Sequence, residues 1–131
     1  MTAPRTAKID VWLFNAANDG QIVNGEAHDS APGHRRVEWL LSETQSSPKE
    51  RDCLRFQHQG GLLRSILSPS VPEIVAEHVE AVLAQVLKRH GTTKIDISAW
   101  VLHAGGNQVL KALRRRLGLA EKDSALSVSI L

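Results

Sequence analysis

One histidine followed by two glycines marks the stretch of this sequence best suited to chemistry. Residues 95–110 read Ile-Asp-Ile-Ser-Ala-Trp-Val-Leu-His-Ala-Gly-Gly-Asn-Gln-Val-Leu. Ala99 to Leu102 is apolar without a break, as in strands buried on both faces. His103 would stand at the carboxyl end of that strand, where open α/β sheets place reactive groups. Gly105 and Gly106 allow a sharp turn and a close approach of backbone to whatever lies above. A strand ending in a polar residue, then two glycines, then a helix, is a site-like arrangement. The same pattern equally suits a buried histidine satisfied by backbone hydrogen bonds.

Other reactive residue types are sparse. The six histidines (His28, His34, His58, His78, His90, His103) show no metal-ligand spacing, so a zinc site is not expected. Cys53 is the single cysteine, which excludes an internal disulfide framework and fits a reducing compartment. It lies next to Leu54 with no glycine-rich turn to activate it, and reads as a packing residue. No phosphate loop or dinucleotide fingerprint occurs, so no cofactor is expected. Lys111, Arg114, Arg115 and Arg116 crowd one helix face. A solvated surface is the plain reading, and an anion or partner patch is the alternative.

The elements that must position His103 follow from periodicity. Ile9 to Phe14 suits a strand, and residues 15–33 are rich in turn signals. Arg36 to Glu43 and Cys53 to His58 read as two strands of a hairpin joined by a long polar loop. Gly60-Gly61 breaks the second strand, and Leu62 to Leu67 suits a short strand or a helical turn. Ser70 and Glu73 have capping-box spacing, with Pro72 in the first turn. Ile74, Val75, Val79, Val82, Leu83, Val86 and Leu87 then form one apolar stripe, ended by Gly91. A second helix follows Gly106, with Val109, Leu110, Leu113 and Leu117 on one face and Gly118 as its stop. The apolar tail suggests an element continuing past Leu131. The class is mixed α/β.

Composition narrows the function. A chain of 131 residues, 42% hydrophobic, can bury one core. Aromatic content of 4% and a net charge of +2 argue against a nucleic-acid partner. No run reaches the ~18 apolar residues of a membrane span. The start of the chain lacks a signal-peptide core. A cytoplasmic protein without membrane or nucleic-acid partners is expected.

Trp100-Val-Leu-His103-Ala-Gly-Gly-Asn-Gln-Val-Leu110, with Leu117-Gly118-Leu119 after it, resembles the catalytic-histidine segment of chalcone and stilbene synthases, the type III polyketide synthases. That family carries His-Pro-Gly-Gly there, so Ala104 replaces a proline and loosens the turn. Trp39 to Phe56 is similar to the family's hairpin, and Gln57 to Val71 to its connection to the next helix. The likeness runs over residues ~35–125, whereas residues 1–34 match poorly. Two regions follow: a poorly matched N-terminal segment, 1–34, and a partial C-terminal domain, 35–131.

The resemblance implies the C-terminal half of a thiolase-like fold, with a β-hairpin and helices packed on a mixed sheet. It implies an acyltransferase that condenses acyl-CoA starters with malonyl-CoA by decarboxylative Claisen chemistry, through a Cys–His–Asn site. His103 carries over as the catalytic histidine. Phe56 falls where the family has a gatekeeping phenylalanine. Phe56, Gly105 and Gly106 are the implied substrate-binding residues. The family's cysteine belongs to its N-terminal half, and Cys53 is not its counterpart. Its asparagine lies downstream of the segment matching Ser127 to Leu131, and Asn107 is no substitute. The chain therefore reads as inactive alone. The family is homodimeric, and this part of it would expose apolar surface and associate. Two alternatives stand beside this reading: a ketoacyl synthase III-like condensing enzyme, and a binding module using the Lys111–Arg116 face.

Overall fold

The computed structural model describes residues 7–17, 36–103 and 105–128. The turn-rich stretch 18–33, Ala104 and the end of the apolar tail, 129–131, lie outside the described residues. Strand β1 (Ala7–Ala17) pairs antiparallel with β2 (Arg36–Ser47). The register runs from Ala7 opposite Ser47 to Leu13 opposite Leu41, then shifts so that Phe14 faces Trp39. Leu40 is the extra residue, a bulge that twists the ribbon locally.

Strands β3 (Leu54–Gln59) and β4 (Leu62–Leu67) form a second antiparallel ribbon, with Leu54 opposite Leu67 and Gln59 opposite Leu62. The expected hairpin between 36–43 and 53–58 is thus replaced by two other pairings. The reason is turn chemistry. Gly60 and Gly61 have φ of 61° and 78°, the left-handed pair that a two-residue hairpin turn requires. The polar residues before β3 instead form a 3-10 turn at Pro48–Glu50.

Helix α1 (Val71–His90) packs against both strands of the first ribbon and against α2 (Asn107–Leu117). Ala76, Leu83 and Leu87 of α1 meet Val109, Ala112, Leu113 and Leu117 of α2 in one buried cluster. Val11, Ile97, Trp100 and Leu102 close over it. Both helices stop where expected: Gly91 and Gly118 have φ of 72° and 68°.

The start of α1 differs from expectation. Ser70 makes no side-chain cap bond, and its hydroxyl lies 2.8 Å from that of Ser68. Glu73 is drawn to Arg115 instead, so no capping box forms there. One does form at Thr93, where Asp96 Oδ2 accepts from the Thr93 N–H at 2.8 Å and from the Thr93 hydroxyl at 2.9 Å.

The segment after that cap also differs. No strand forms over Ile97–His103 among the described residues; a 3-10 turn at Lys94–Asp96 leads through an extended Ile97 into irregular, unladdered backbone. Trp100 and Leu102 turn toward the core, while Val101 is 80% exposed. An apolar run predicts burial on both faces only when a sheet and a second layer are both present. Here one face has the helices and the other is open. Beyond α2, a 3-10 turn at Glu121–Ser124 and the short α3 (Ala125–Val128) complete the described chain.

Candidate active site

His103 is exposed, not a satisfied core residue. Its backbone is nevertheless held from both sides. The preceding N–H, of Leu102, donates to Ser127 Oγ at 2.8 Å. The following turn closes through the Gly105 N–H, which donates to the His103 carbonyl oxygen at 2.9 Å. An exposed imidazole on a held backbone is available to a second molecule without being free to wander.

The two glycines do different work. A Cβ on Gly105 would meet His103 Cδ2 at 3.6 Å and the Val109 methyls at 3.8 Å, ordinary contact distances. Gly106 has φ 113° and ψ 158°, a conformation essentially confined to glycine. It reverses the chain into α2, whose first ladder bond is the Leu110 N–H to the Gly106 carbonyl oxygen at 3.2 Å. The rest of the loop is pinned by Lys94, whose Nζ donates to the Leu117 carbonyl oxygen at the far end of α2, at 3.0 Å.

Phe56 stands apart from this arrangement. It lies on β3 opposite Ser65, 55% exposed, outside the buried cluster. Leu54, Leu63 and Leu67 share its face of the ribbon by the pairing register, and all are exposed. Cys53 is a half-buried free thiol at the base of that ribbon. Its N–H donates to Glu50 and its carbonyl accepts from Ser68, so its backbone ties the hairpin shut. The structure thus brings together His103, Gly105 and Gly106, and places Phe56 on a separate element.

The arginines of α2 are engaged. Arg115 pairs with Glu73 and Arg116 with Glu80 across the helix interface, while Arg114 lies 3.8 Å from Glu121. Two charges of the alternative basic patch, Arg115 and Arg116, are thus paired with α1, and Arg114 faces Glu121. Among the described residues no group of three or more potential ligands could hold a metal ion. No helix among them is long and apolar enough to cross a membrane.

This mixed α/β arrangement, two antiparallel ribbons and a histidine loop feeding a helix, has a counterpart among the solved structures of the thiolase-like fold. PKS-I from the brown alga Ectocarpus siliculosus superposes with a TM-score of 0.58 at 24% identity, over 63% of this chain and 22% of that one. The family model for the C-terminal domain of chalcone and stilbene synthases matches residues 47–131. This chain belongs to that family, the type III polyketide synthases, and carries its C-terminal domain. The match selects that family over the ketoacyl synthase III alternative.

The chain is also similar to named bacterial relatives. It is 34% identical to the 3,5-dihydroxyphenylacetyl-CoA synthase of Amycolatopsis orientalis over 131 aligned residues, 97% of this chain and 34% of the relative. It is 30% identical to the enzyme of the same name from Streptomyces toyocaensis over 86 residues, 64% of this chain and 22% of the relative. The chain therefore spans between about a fifth and a third of the length of these relatives.

Proposed function

We propose that this chain supplies the histidine-bearing part of a polyketide-forming acyltransferase. The observation that carries the reading is His103: an exposed imidazole, on backbone held at Leu102 and Gly105, at the head of α2. A thiolate from the complementary half of the synthase attacks an acyl-CoA carbonyl, and coenzyme A leaves as its thiolate. Malonyl-CoA then loses carbon dioxide, and the electron pair of the broken bond forms an enolate. The enolate carbon attacks the acyl thioester, a carbon–carbon bond forms, and the cysteine thiolate leaves. His103 keeps the cysteine ionised and, with an asparagine from outside these residues, donates to the enolate oxygen.

Phe56, Gly105 and Gly106 serve as substrate-binding residues in this reading. Residues 35–131 are the catalytic-type domain in this reading, and β1 (Ala7–Ala17) of the 1–34 segment is joined to it through its pairing with β2. The substrates supply the carboxylate that is lost, so the chemistry calls for no metal or organic cofactor. The working unit is a cytoplasmic homodimer. The 131-residue polypeptide by itself is inactive and associates through its exposed apolar ribbon.

The test uses the full synthase carrying this chain. His103→Ala should lower decarboxylation of malonyl-CoA and condensation by about 10²-fold or more. Product formation at the parental rate would overturn the assignment. The 131-residue polypeptide, given acyl-CoA and malonyl-CoA, should yield no product. Robust condensation by it would refute the need for a complementary half.

A further inference from the structure

We infer that Ser127 is a positioning residue for His103; the inference rests on the reading of His103 given above. Ser127 lies on α3 and is fully buried, at 0% exposure. Its Oγ accepts the N–H of Leu102, 25 positions earlier in the chain, at 2.8 Å. Leu102 directly precedes His103. The segment Ile97–His103 has no ladder partner among the described residues, so its backbone groups depend on individual acceptors. A buried hydroxyl that accepts such an N–H is satisfied by it, and each partner is costly to leave alone.

The geometry makes the loop a clamp with two jaws. One jaw is local: the Gly105 N–H on the His103 carbonyl oxygen. The other is distant: Ser127 on the Leu102 N–H. The local jaw sets the shape of the turn, and the distant one ties the peptide just before His103 to α3. Without the Ser127 hydroxyl, Leu102 keeps its apolar packing but loses the bond that sets its peptide plane. The imidazole one residue on then samples a wider range of positions.

A second serine provides the control. Ser124 is equally buried, at 0% exposure, and its Oγ donates to the Glu121 carbonyl oxygen at 3.2 Å. That bond closes the 3-10 turn and does not touch the His103 loop. Removing it should perturb folding without moving the imidazole.

The experiment compares Ser127→Ala, Ser124→Ala and Ser127→Thr in the full synthase. Ser127→Ala should lower kcat about tenfold with KM within about twofold, as expected for a misplaced catalytic group with intact binding. Hydrogen exchange at the Leu102 amide should rise in that variant alone. Ser124→Ala should leave kcat within about twofold of the parent. Ser127→Thr keeps the acceptor and should restore Leu102 protection. Equal loss of kcat in the two alanine variants, or unchanged Leu102 exchange in Ser127→Ala, would overturn the inference. If His103→Ala leaves activity intact while Ser127→Ala still exposes the Leu102 amide, the clamp stands and the catalytic reading fails. If His103→Ala abolishes activity and Ser127→Ala changes neither kcat nor exchange, the reverse holds.

Discussion

Arg116 Nε on α2 donates to Glu80 Oε2 on α1 at 2.6 Å. Beside it, Arg115 pairs with Glu73 in the first turn of α1. These bonds join the polar edges of two helices whose apolar faces are already buried together. The Glu80 hydrogen bond and charge hold the Arg116 guanidinium above its usual pKa. Both side chains are about half exposed, so the pair contributes modestly and is screened by salt.

Arg116→Ala should therefore give a small loss in urea-unfolding stability that fades as salt rises to ~1 M, where charges are screened within about 3 Å. The same arginines, being engaged by glutamates, should give no salt-sensitive binding of duplex DNA by fluorescence anisotropy. A steep salt dependence of such binding would revive the basic-patch reading.

Asp96 should govern part of the acid limb of stability. Hydrogen bonds from the Thr93 N–H, then the Thr93 hydroxyl, then the Thr92 hydroxyl lower its pKa below the usual 3.8. A carboxylate with a depressed folded pKa stabilises the fold fully above its unfolded value. That contribution fades as pH falls through the folded value. Unfolding midpoints should hold steady above pH ~4 and drop below it, and Asp96→Asn should flatten that part of the drop. A variant with the parental acid profile would contradict the cap's role.

Gly105 and Gly106 should respond differently to one methyl group. Gly106→Ala must adopt a positive φ that L residues rarely take, although nothing lies within 4 Å of the new Cβ. A cost of about 1–3 kcal/mol in folding is expected from backbone strain alone. Gly105→Ala meets only ordinary contacts and should be close to neutral by denaturant titration. Equal losses at both positions would show that space, not backbone conformation, decides them.

Leu113 sits in the α1–α2 cluster at 4% exposure. Leu113→Ala should cost about 2–5 kcal/mol, measured by urea unfolding. A cost under about 1 kcal/mol would mean that the helices repack without it.

The β3–β4 ribbon exposes Leu62 at 70%, Leu63 at 63% and Phe56 at 55%. An isolated two-stranded ribbon is marginal in water, and an apolar one invites a partner. Sedimentation velocity on the 131-residue polypeptide should show mass rising with concentration, and Leu63→Lys should reduce the rise. A concentration-independent monomer would contradict this.

Helix ends were legible because their signals are local. Gly91 and Gly118 stop the helices at the expected places, since left-handed backbone there needs no distant partner. The apolar stripe of α2 was equally plain, and Val109, Leu110, Leu113 and Leu117 are all buried. Gly60-Gly61 breaks a strand by composition, and two adjacent glycines between apolar runs are equally a hairpin signal, which the pairing of β3 with β4 realises. The histidine motif with its two glycines carried the family resemblance, and the family match over residues 47–131 bears that out.

The amino-acid sequence alone settled where the helices end, which faces they bury, and which family the chain joins. The helix ends and faces depend on residues within a few positions of one another, and the family on motifs in fixed order along residues 47–131. Only the tertiary structure decided who meets whom. Glu73 abandoned its local cap for Arg115, 42 positions away, because a charged partner outcompetes an exposed backbone N–H. Ile97–His103 stayed out of any ladder and took Ser127 as the acceptor for Leu102. No local pattern encodes such a choice, because its energy exists only once α3 has folded back beside the loop.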